Sequence, residues 1–341
     1  MTDVFWGEST IKHQDARVDG GIVEISGEKY YRVRNYDRMP AFLMSLVSSS
    51  DHWMYVSSSG GLTCGRGNRD RALFPYETDD KIHDSAATTG PKTCFLVERS
   101  GKTHLWLPFY NGASVYSIER RLYKSIYGSR LIFEEVNHDL GMVFSYAWSP
   151  SERFGFVRSG RIRNTGSQRV TVRMLDGMRN ILAPGINQEM QNRLSTLVDA
   201  YKVSEVDETS GAGVFSLSAL PTDRAEPLEA LQATLVFCVG LERSGILLSE
   251  KQVGSFCSGD AIQPESRLNG QRGAYFVQSD LSLGPAEENS WHLVAEIGLG
   301  ATELTRRLTE LPAAEIRSEI EADIRTGEQR LRELVAAADG V

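Results

Sequence analysis

The chain has 341 residues, of which 41% are hydrophobic and 24% are charged, as is ordinary for a globular protein with a sizeable core. Its formal net charge is −8. A protein that binds nucleic acid or an anionic membrane presents clustered cations to the phosphates. The acidic balance therefore argues against both partner classes, and we expect no nucleic acid and no membrane to be bound.

The four cysteines, Cys64, Cys94, Cys238 and Cys257, include no C-x-x-C pair. In a chain of this size they are typical of free thiols in a reducing compartment rather than of a disulfide framework. The first residues show no basic segment followed by an apolar one, and no apolar run approaches the ~20 residues of a membrane span. These features predict a soluble, cytoplasmic protein.

Residues 1–300 predict an all-β domain. Short segments rich in Val, Ile, Phe and Tyr are separated by Gly, Asn, Asp and Ser turns, and residues 170–175 alternate apolar with polar side chains. No βαβ alternation is visible, so we expect more than a dozen antiparallel strands in two large packed sheets, an antiparallel super-sandwich. The predicted strands include residues 21–25, 30–33, 53–56, 94–97, 115–118, 130–133, 141–148, 154–163, 169–175, 212–217, 233–239, 245–248 and 274–283.

One segment inside this domain has helical spacing instead. In residues 187–202 the spacing between successive apolar side chains suits a helix; these side chains are Met190, Leu194, Leu197, Val198 and Tyr201. We predict a short helix or helical loop inserted between strands.

Residues 301–341 predict a C-terminal helical linker. Glu, Arg, Leu and Ala dominate, and Pro312 suits the first turn of a helix, so we expect helices over residues 302–310 and 312–337. An apolar stripe follows Leu304, Leu308, Leu311, Ile316, Ile320, Ile324, Leu331 and Leu334. The helices either cap their own sandwich or lead to a domain outside this chain. Under the second interpretation, apolar surface stays exposed and the chain dimerises or binds a partner through it.

The run of residues 56–84 concentrates polar side chains that suit sugar recognition. Glycines permit tight turns, arginines and an asparagine supply donors, and aspartates supply acceptors. Trp53, Phe74, Tyr76 and Trp106 could add aromatic faces. The alternative is an Arg–Asp network that only braces a long loop. In either case we expect Arg66, Arg69 or Arg71 to pair with Asp79, Asp80 or Asp84. The predicted binding residues are Arg66, Asn68, Arg69, Arg71, Tyr76, Asp79, Asp80 and Asp84.

The order of several motifs resembles the N-terminal domain of glycoside hydrolase family 94, the inverting cellobiose and chitobiose phosphorylases. The similarity covers roughly residues 35–300, and Phe74-Pro75-Tyr76 and Asp80-Lys81 depart from the usual Thr-Pro-Trp and Asp-Pro, which indicates a divergent branch. The matching runs are Ser58-Ser59-Gly60-Gly61, Gly67-Asn68-Arg69, residues 74–84, Thr89-Gly90, residues 128–135, Phe156-Val157-Arg158, residues 161–164 and residues 216–218.

The resemblance implies a galactose-mutarotase-like super-sandwich followed by linker helices and an (α/α) barrel. In that family the barrel carries the general-acid Asp, which protonates the glycosidic oxygen while phosphate attacks from the opposite face. We therefore expect a carbohydrate-binding, scaffolding domain of a disaccharide or oligosaccharide phosphorylase, not catalytic by itself. Its expected partners are the sugar, a barrel domain or a second copy of the chain, and inorganic phosphate only through the catalytic partner.

Two alternatives remain open. A stand-alone mutarotase or epimerase would need a histidine facing a carboxylate, for which His104, His138 and His292 are candidates. A lone carbohydrate-binding module is the other.

Three further groups of residues are candidate sites. The pair Glu134-Glu135, with Asp139 close by, could serve a glycosidase, but an exposed acidic turn is the simpler interpretation. A metal site could be built from His52, His83, Asp79, Asp80 and Asp84, but no H-x-H or H-x-x-x-H spacing supports it. Cys64 and Cys94 lack a nearby basic helix start that would lower the pKa of a thiol, so we expect no catalytic cysteine, no metal and no cofactor.

Overall fold

The computed structural model describes residues 3–15, 17–221 and 228–339. Antiparallel strands dominate, as the sequence predicts, because apolar and polar residues alternate along most segments. The strands are β1 (Phe5–Trp6), β2 (Ser9–Thr10), β3 (Asp19–Ile25), β4 (Glu28–Arg34), β5 (Leu43–Leu46), β6 (His52–Ser57), β7 (Leu62–Arg66), β8 (Ala72–Phe74), β9 (Gly90–Arg99), β10 (Lys102–Trp106), β11 (Ile118–Ser125), β12 (Leu131–Asn137), β13 (Met142–Ser151), β14 (Gly155–Asn164), β15 (Val170–Ile181), β16 (Lys202–Val206), β17 (Gly213–Leu217), β18 (Gln232–Val239), β19 (Gly245–Leu247), β20 (Arg267–Asn269), β21 (Gly273–Leu283) and β22 (Glu288–Gly300).

Eleven strands form the large sheet, in the order β20-β16-β17-β18-β22-β14-β13-β12-β11-β4-β3. The second layer, which the sequence predicts as one large sheet, consists of two sheets: a five-stranded sheet, β10-β9-β15-β21-β19, and a four-stranded sheet, β5-β6-β7-β8. Strands β1 and β2 form a separate hairpin.

The main core lies between the large sheet and the two smaller sheets. Phe144, Phe156 and Trp291 reach it from the large sheet, Met174 from the five-stranded sheet and Val56 from the four-stranded sheet. We call the side of the large sheet that faces this core its inner face, and the opposite side its outer face. Because side chains alternate along a strand, neighbouring residues of β14 and β22 serve different faces.

The helices are short except at the C-terminus. They are α1 (Asp79–Ser85), α2 (Gln188–Arg193), α3 (Ser195–Asp199), α4 (Val253–Cys257), α5 (Ala301–Glu310) and α6 (Ile316–Asp339). None of the described helices is both long and apolar enough to cross a bilayer. The predicted helical insert is confirmed as α2 and α3, and the side chain of Asn187 accepts a hydrogen bond from the Met190 amide at the start of α2.

Two local predictions are wrong. Residues 115–118 are not a strand except at Ile118, where β11 begins. Residues 60–84 are not one long loop, because they contain β7, β8 and α1. The four cysteines are free, as expected.

The C-terminal helices pack on the outer face of the large sheet. Leu311, Ile316, Ile320 and Ile324 are buried there, in a second core that Phe154, Val157 and Val294 also enter, and Leu331 of α6 is buried as well. The expectation that the apolar stripe of the C-terminal helices stays exposed is therefore wrong for most of its residues, because the outer face of the large sheet supplies a matching apolar surface. Leu334, at 57% exposure, is the exception.

Candidate functional site

The glycine-rich run before β7 holds helix α1 against the four-stranded sheet. A Cβ atom on Gly61 would lie 1.9 Å from the carbonyl oxygen of Ile82, so only glycine lets the helix approach this closely. Ser57 Oγ lies 2.6 Å from His83 Nδ1, and Ser59 Oγ donates to the His83 carbonyl. These contacts give the run a structural role in docking α1.

The predicted arginine–aspartate pairing is wrong. Arg66 bonds to Asp51, at 2.7 Å, because β6 and β7 place these residues side by side at the ends of the strands. Arg69 and Arg71 form no ion pair within the described part of the chain. The segment is ordered by strand pairing and by α1 docking instead.

The other predicted residues are also dispersed. Asn68 shapes the β7–β8 turn, where its side chain accepts from the Asp70 amide, and Tyr76 packs edge-on against Trp53 at 5.6 Å. Asp80 is bound by the Thr78 hydroxyl near the start of α1, and the Asp79 side chain lies outside the described residues.

Asp84 and Arg71 line two different clefts. Asp84 lies with Glu77 and Lys81 in a polar cleft of about 360 Å³ between α1 and the α2–α3 segment. Arg71 lines a cavity near Gly298. The eight predicted residues therefore do not converge on one site.

A different pocket, which we call the aromatic pocket, opens beside the inner face of the large sheet. It has a volume of about 360 Å³ and is formed by the turn after β4, the β6–β7 turn and the β10–β11 loop. Tyr36, Phe109, Phe133 and Tyr146 supply aromatic surface. Lys12, Asp37, Arg38, Asn111 and Arg120 supply polar groups. Pockets of about 300–1,000 Å³ with aromatic walls and a few polar groups are typical small-molecule sites.

Two tyrosine hydroxyls of the aromatic pocket lack a protein partner. Tyr36 and Tyr146 are each only 4% exposed, yet within the described chain neither hydroxyl forms a hydrogen bond. Burial raises the pKa of both phenols above the ordinary value, so both stay protonated at neutral pH. Neither hydroxyl oxygen is among the fully buried atoms that lack a partner, and both residues line the pocket, so the two hydroxyls are open to a ligand with hydroxyl or carbonyl groups.

A buried ion pair shapes the wall of the aromatic pocket. Arg120 Nε donates to Glu135 at 2.9 Å, and the same carboxylate accepts from Trp106 Nε1 and from the Phe109 amide, both at 2.7 Å. Phe109 has a positive φ of 61°, which is strained for an aromatic residue, and these bonds hold it there. Arg120 also donates to the Tyr110 carbonyl at 2.6 Å, which fixes the loop over the pocket.

The interpretation of Glu134-Glu135 as an exposed acidic turn is wrong. Both residues lie in β12, where Glu135 is buried on the inner face and Glu134 binds Arg121 and Tyr123 on the outer face. Consecutive strand residues point in opposite directions, so these carboxylates cannot act together across one glycosidic bond.

Sequence reasoning missed the aromatic pocket because no local motif marks it. Its residues come from six separate segments of the chain, which the fold brings together. One usable signal was present. Alternation along β12 places Glu135 on the same face as Phe133, and a charged residue at a core position requires a buried partner.

Of the three candidate histidines, His292 alone contacts a carboxylate within the described residues. Its Nε2 lies 3.2 Å from Glu321 of α6, and its Nδ1 lies 2.9 Å from Ser159 Oγ on the neighbouring strand. Burial lowers the pKa of His292, which favours the neutral ring. The described residues contain no group of three potential metal ligands.

No family model and no curated protein matches the chain. Similar solved structures include a bacterial glucoamylase complexed with acarbose, with 9% identity, a TM-score of 0.46 and coverage of 93% of this chain and 40% of that one. A galactose mutarotase-like protein from Clostridium acetobutylicum has 9% identity and a TM-score of 0.36, with 83% and 99% covered. A candidate kojibiose phosphorylase from the human microbiome has 8% identity and a TM-score of 0.35, with 69% and 27% covered. The chain thus spans less than half of the glucoamylase and of the phosphorylase. These TM-scores are low, so the functional argument rests on the residues of this chain.

Proposed function

We propose that this chain binds a disaccharide or oligosaccharide in the aromatic pocket. The observation that supports this most directly is the pair of hydroxyls on Tyr36 and Tyr146, which line the pocket beside an aromatic wall and have no hydrogen-bond partner among the described residues. Sugars present hydroxyls along their edges and C–H groups on their faces. A pocket with both aromatic surface and polar side chains such as Asp37 and Asn111 matches that chemistry.

We further propose that the chain serves as the scaffolding domain of a phosphorylase-type system. The ordered motifs that resemble glycoside hydrolase family 94 support this role. In this proposal an (α/α) barrel supplies the general acid and the phosphate site, on a longer form of the protein or on a separate chain. The chain by itself then releases no sugar 1-phosphate from β-linked gluco- or N-acetylhexosamine disaccharides, and phosphate-dependent release by the purified chain would overturn this part.

The saccharide proposal is tested by titrating the chain with cellobiose and with N,N′-diacetylchitobiose, using calorimetry or NMR. Tyr36→Phe and Tyr146→Phe each remove one hydroxyl, and we expect each to weaken binding by about tenfold. Tyr123→Phe is the matched control, because its hydroxyl binds Glu134 on the outer face. Saccharide binding that is unchanged in Tyr36→Phe and Tyr146→Phe, or absent from the unmodified chain, would refute the proposal.

A stand-alone mutarotase or epimerase is the second candidate, favoured by the contact between His292 and Glu321. Both ring nitrogens are already engaged within the protein, however, which leaves no free nitrogen to act as a base. Polarimetry of freshly dissolved α-glucose decides the matter. Acceleration that is lost in His292→Gln would favour this candidate over the scaffolding domain.

A further inference from the structure

A second cavity, which we call the outer groove, lies between α6 and the outer face of the large sheet. Its volume is about 430 Å³. Strands β12, β13, β14 and β22 form its floor, and Arg317, Glu321, Arg325 and Glu328 line it from one side of α6. It is separate from the aromatic pocket, which opens beside the inner face.

Small side chains create the depth of the outer groove. Ser145, Ala147 and Ser149 follow one another on the outer face of β13, and Ser159 lies next to them on β14. Ser149 is only 2% exposed, and its Oγ has no hydrogen-bond partner within the described chain. An unpaired hydroxyl at the bottom of a cavity costs free energy unless a bound group satisfies it.

Two cations of the outer groove are also unpaired. The Arg130 side chain forms no ion pair and no hydrogen bond with any described residue, and its Nε is buried. Arg325 forms no ion pair in the same part of the chain. A guanidinium in a cavity is a strong site for a carboxylate or a phosphate, which it can bind through two parallel hydrogen bonds.

The carboxylates of the outer groove do not cancel this charge. Glu28 is paired with Arg332, and Glu321 is paired with Arg317 and His292. Burial, and then the neighbouring charge of Glu28, raise the pKa of Glu328, which favours its neutral form. Arg130, Arg332 and Arg325 lower the same pKa and so oppose that shift, and the Oε1 of Glu328 is buried without a partner among the described residues.

We propose that the outer groove binds a small hydroxylated anion, namely a sugar phosphate or a uronic acid, with its anionic group on Arg130 and its hydroxyls on the serines of the floor. The unpaired guanidinium specifies the anionic end. Ser149 follows Trp148, which pairs with Leu131 next to Arg130, so its unpaired hydroxyl specifies a ligand hydroxyl close to the anionic group. This site does not depend on saccharide binding in the aromatic pocket.

The experiment compares four ligands by calorimetry or ligand-observed NMR: glucose 6-phosphate, glucuronate, glucose and inorganic phosphate. We expect one or both sugar anions to bind with a dissociation constant of about 1 mM or below, and glucose to bind at least about tenfold more weakly. The two anions distinguish a phosphate from a carboxylate source. Arg130→Gln should weaken binding by about tenfold or more, because it removes a charged hydrogen-bond partner.

Arg163→Gln is the matched control, since Arg163 lies on the same face of β14 outside the outer groove. Arg325→Gln alters an exposed residue and supplies a second test if Arg130→Gln folds poorly. Binding that is unchanged in Arg325→Gln and in folded Arg130→Gln overturns the proposal. The proposal is also overturned if neither sugar anion binds, or if inorganic phosphate binds as tightly as both sugar anions. Tyr36→Phe should leave anion binding unchanged, so failure here is distinguishable from failure of the saccharide proposal.

Discussion

Arg158 and Arg161 lie three residues apart on β14 but belong to opposite faces of the large sheet. The Arg158 side chain is 0% exposed on the inner face, where its Nη1 donates to Asp176 at 2.7 Å and its Nη2 to Thr93 at 3.0 Å. The Arg161 side chain is 52% exposed on the outer face and pairs with Glu288, which is also largely exposed. The same residue type thus meets two different dielectric surroundings within one strand.

This difference in burial between the two arginines indicates which groups are candidates for ligand binding. On the inner face, burial of a charge is tolerated only beside a counter-ion, and the Arg158 and Arg120 guanidinium groups each have one, in Asp176 and Glu135. These pairs therefore have a structural role. In the two cavities, by contrast, the Tyr36 and Tyr146 hydroxyls, Ser149 Oγ and Arg130 Nε have neither a counter-ion nor a hydrogen-bond partner among the described residues. Ligand binding is therefore expected at those groups, not at the paired ones.

The largest effect should follow from breaking the inner pair. Asp176→Ala leaves Arg158 buried without its counter-ion and also removes acceptors for Thr93 and Trp291. We expect a loss of about 3–5 kcal/mol in the free energy of unfolding, measured by urea denaturation. Asp280→Ala, on the exposed side of β21, should change stability by less than about 0.5 kcal/mol. A loss below about 1 kcal/mol in Asp176→Ala would show that the pair is not structural.

The apolar part of the outer face provides the second test. Ile320 is 0% exposed beneath α6, so Ile320→Ala should cost about 2–5 kcal/mol in the free energy of unfolding. Leu334→Ala, near the exposed end of the same helix, should cost less than about 0.5 kcal/mol. Equal effects of the two variants in urea denaturation would mean that α6 does not pack on the sheet as described.

Local patterning was enough to predict most of the fold. Alternation and turn residues identified strands such as β13, β14, β15 and β21, because each of them has a buried face and repeats with a period of two. The split of the second layer into two sheets was not predictable, because strand order depends on contacts distant in sequence. The apolar stripe of α6 was recognised, but its partner surface on the sheet was not visible locally.

The candidate site was much less predictable. Residues 56–84 are polar and rich in glycine, which is equally typical of a sugar-binding loop and of a docking surface for a short helix. Gly61 and His83 show that the second interpretation accounts for part of the run. The aromatic pocket depends on Tyr36, Phe109 and Tyr146, which converge only after the sheet has formed.

A smaller, pH-dependent effect is expected for His292 on the outer face. Burial lowers the pKa of His292, as do Arg317 and Arg130, whereas Glu321 opposes them. The unfolded chain therefore binds more protons below the ordinary histidine pKa of about 6.5, so this contribution to stability is complete above that pH and is lost as the pH falls.

His292→Gln should accordingly lose less stability than the unmodified chain between about pH 7.5 and 5, as followed by urea denaturation. His138→Gln, at an exposed position, is the control and should keep the full pH dependence. An identical pH dependence in His292→Gln and the unmodified chain would contradict the argument.

The smallest effect is expected for Arg161, the exposed member of the β14 comparison. Its pair with Glu288 lies in water, where the Coulomb attraction is weak and ordering two long side chains costs entropy. Arg161→Gln should therefore change the free energy of unfolding by about 0–1 kcal/mol, with little further change at high salt. Arg158→Gln in the same strand should cost several times more, because Asp176 would remain charged in the core without its cation. If urea denaturation gave equal losses for these two variants, burial would not determine the strength of charge pairing in this sheet.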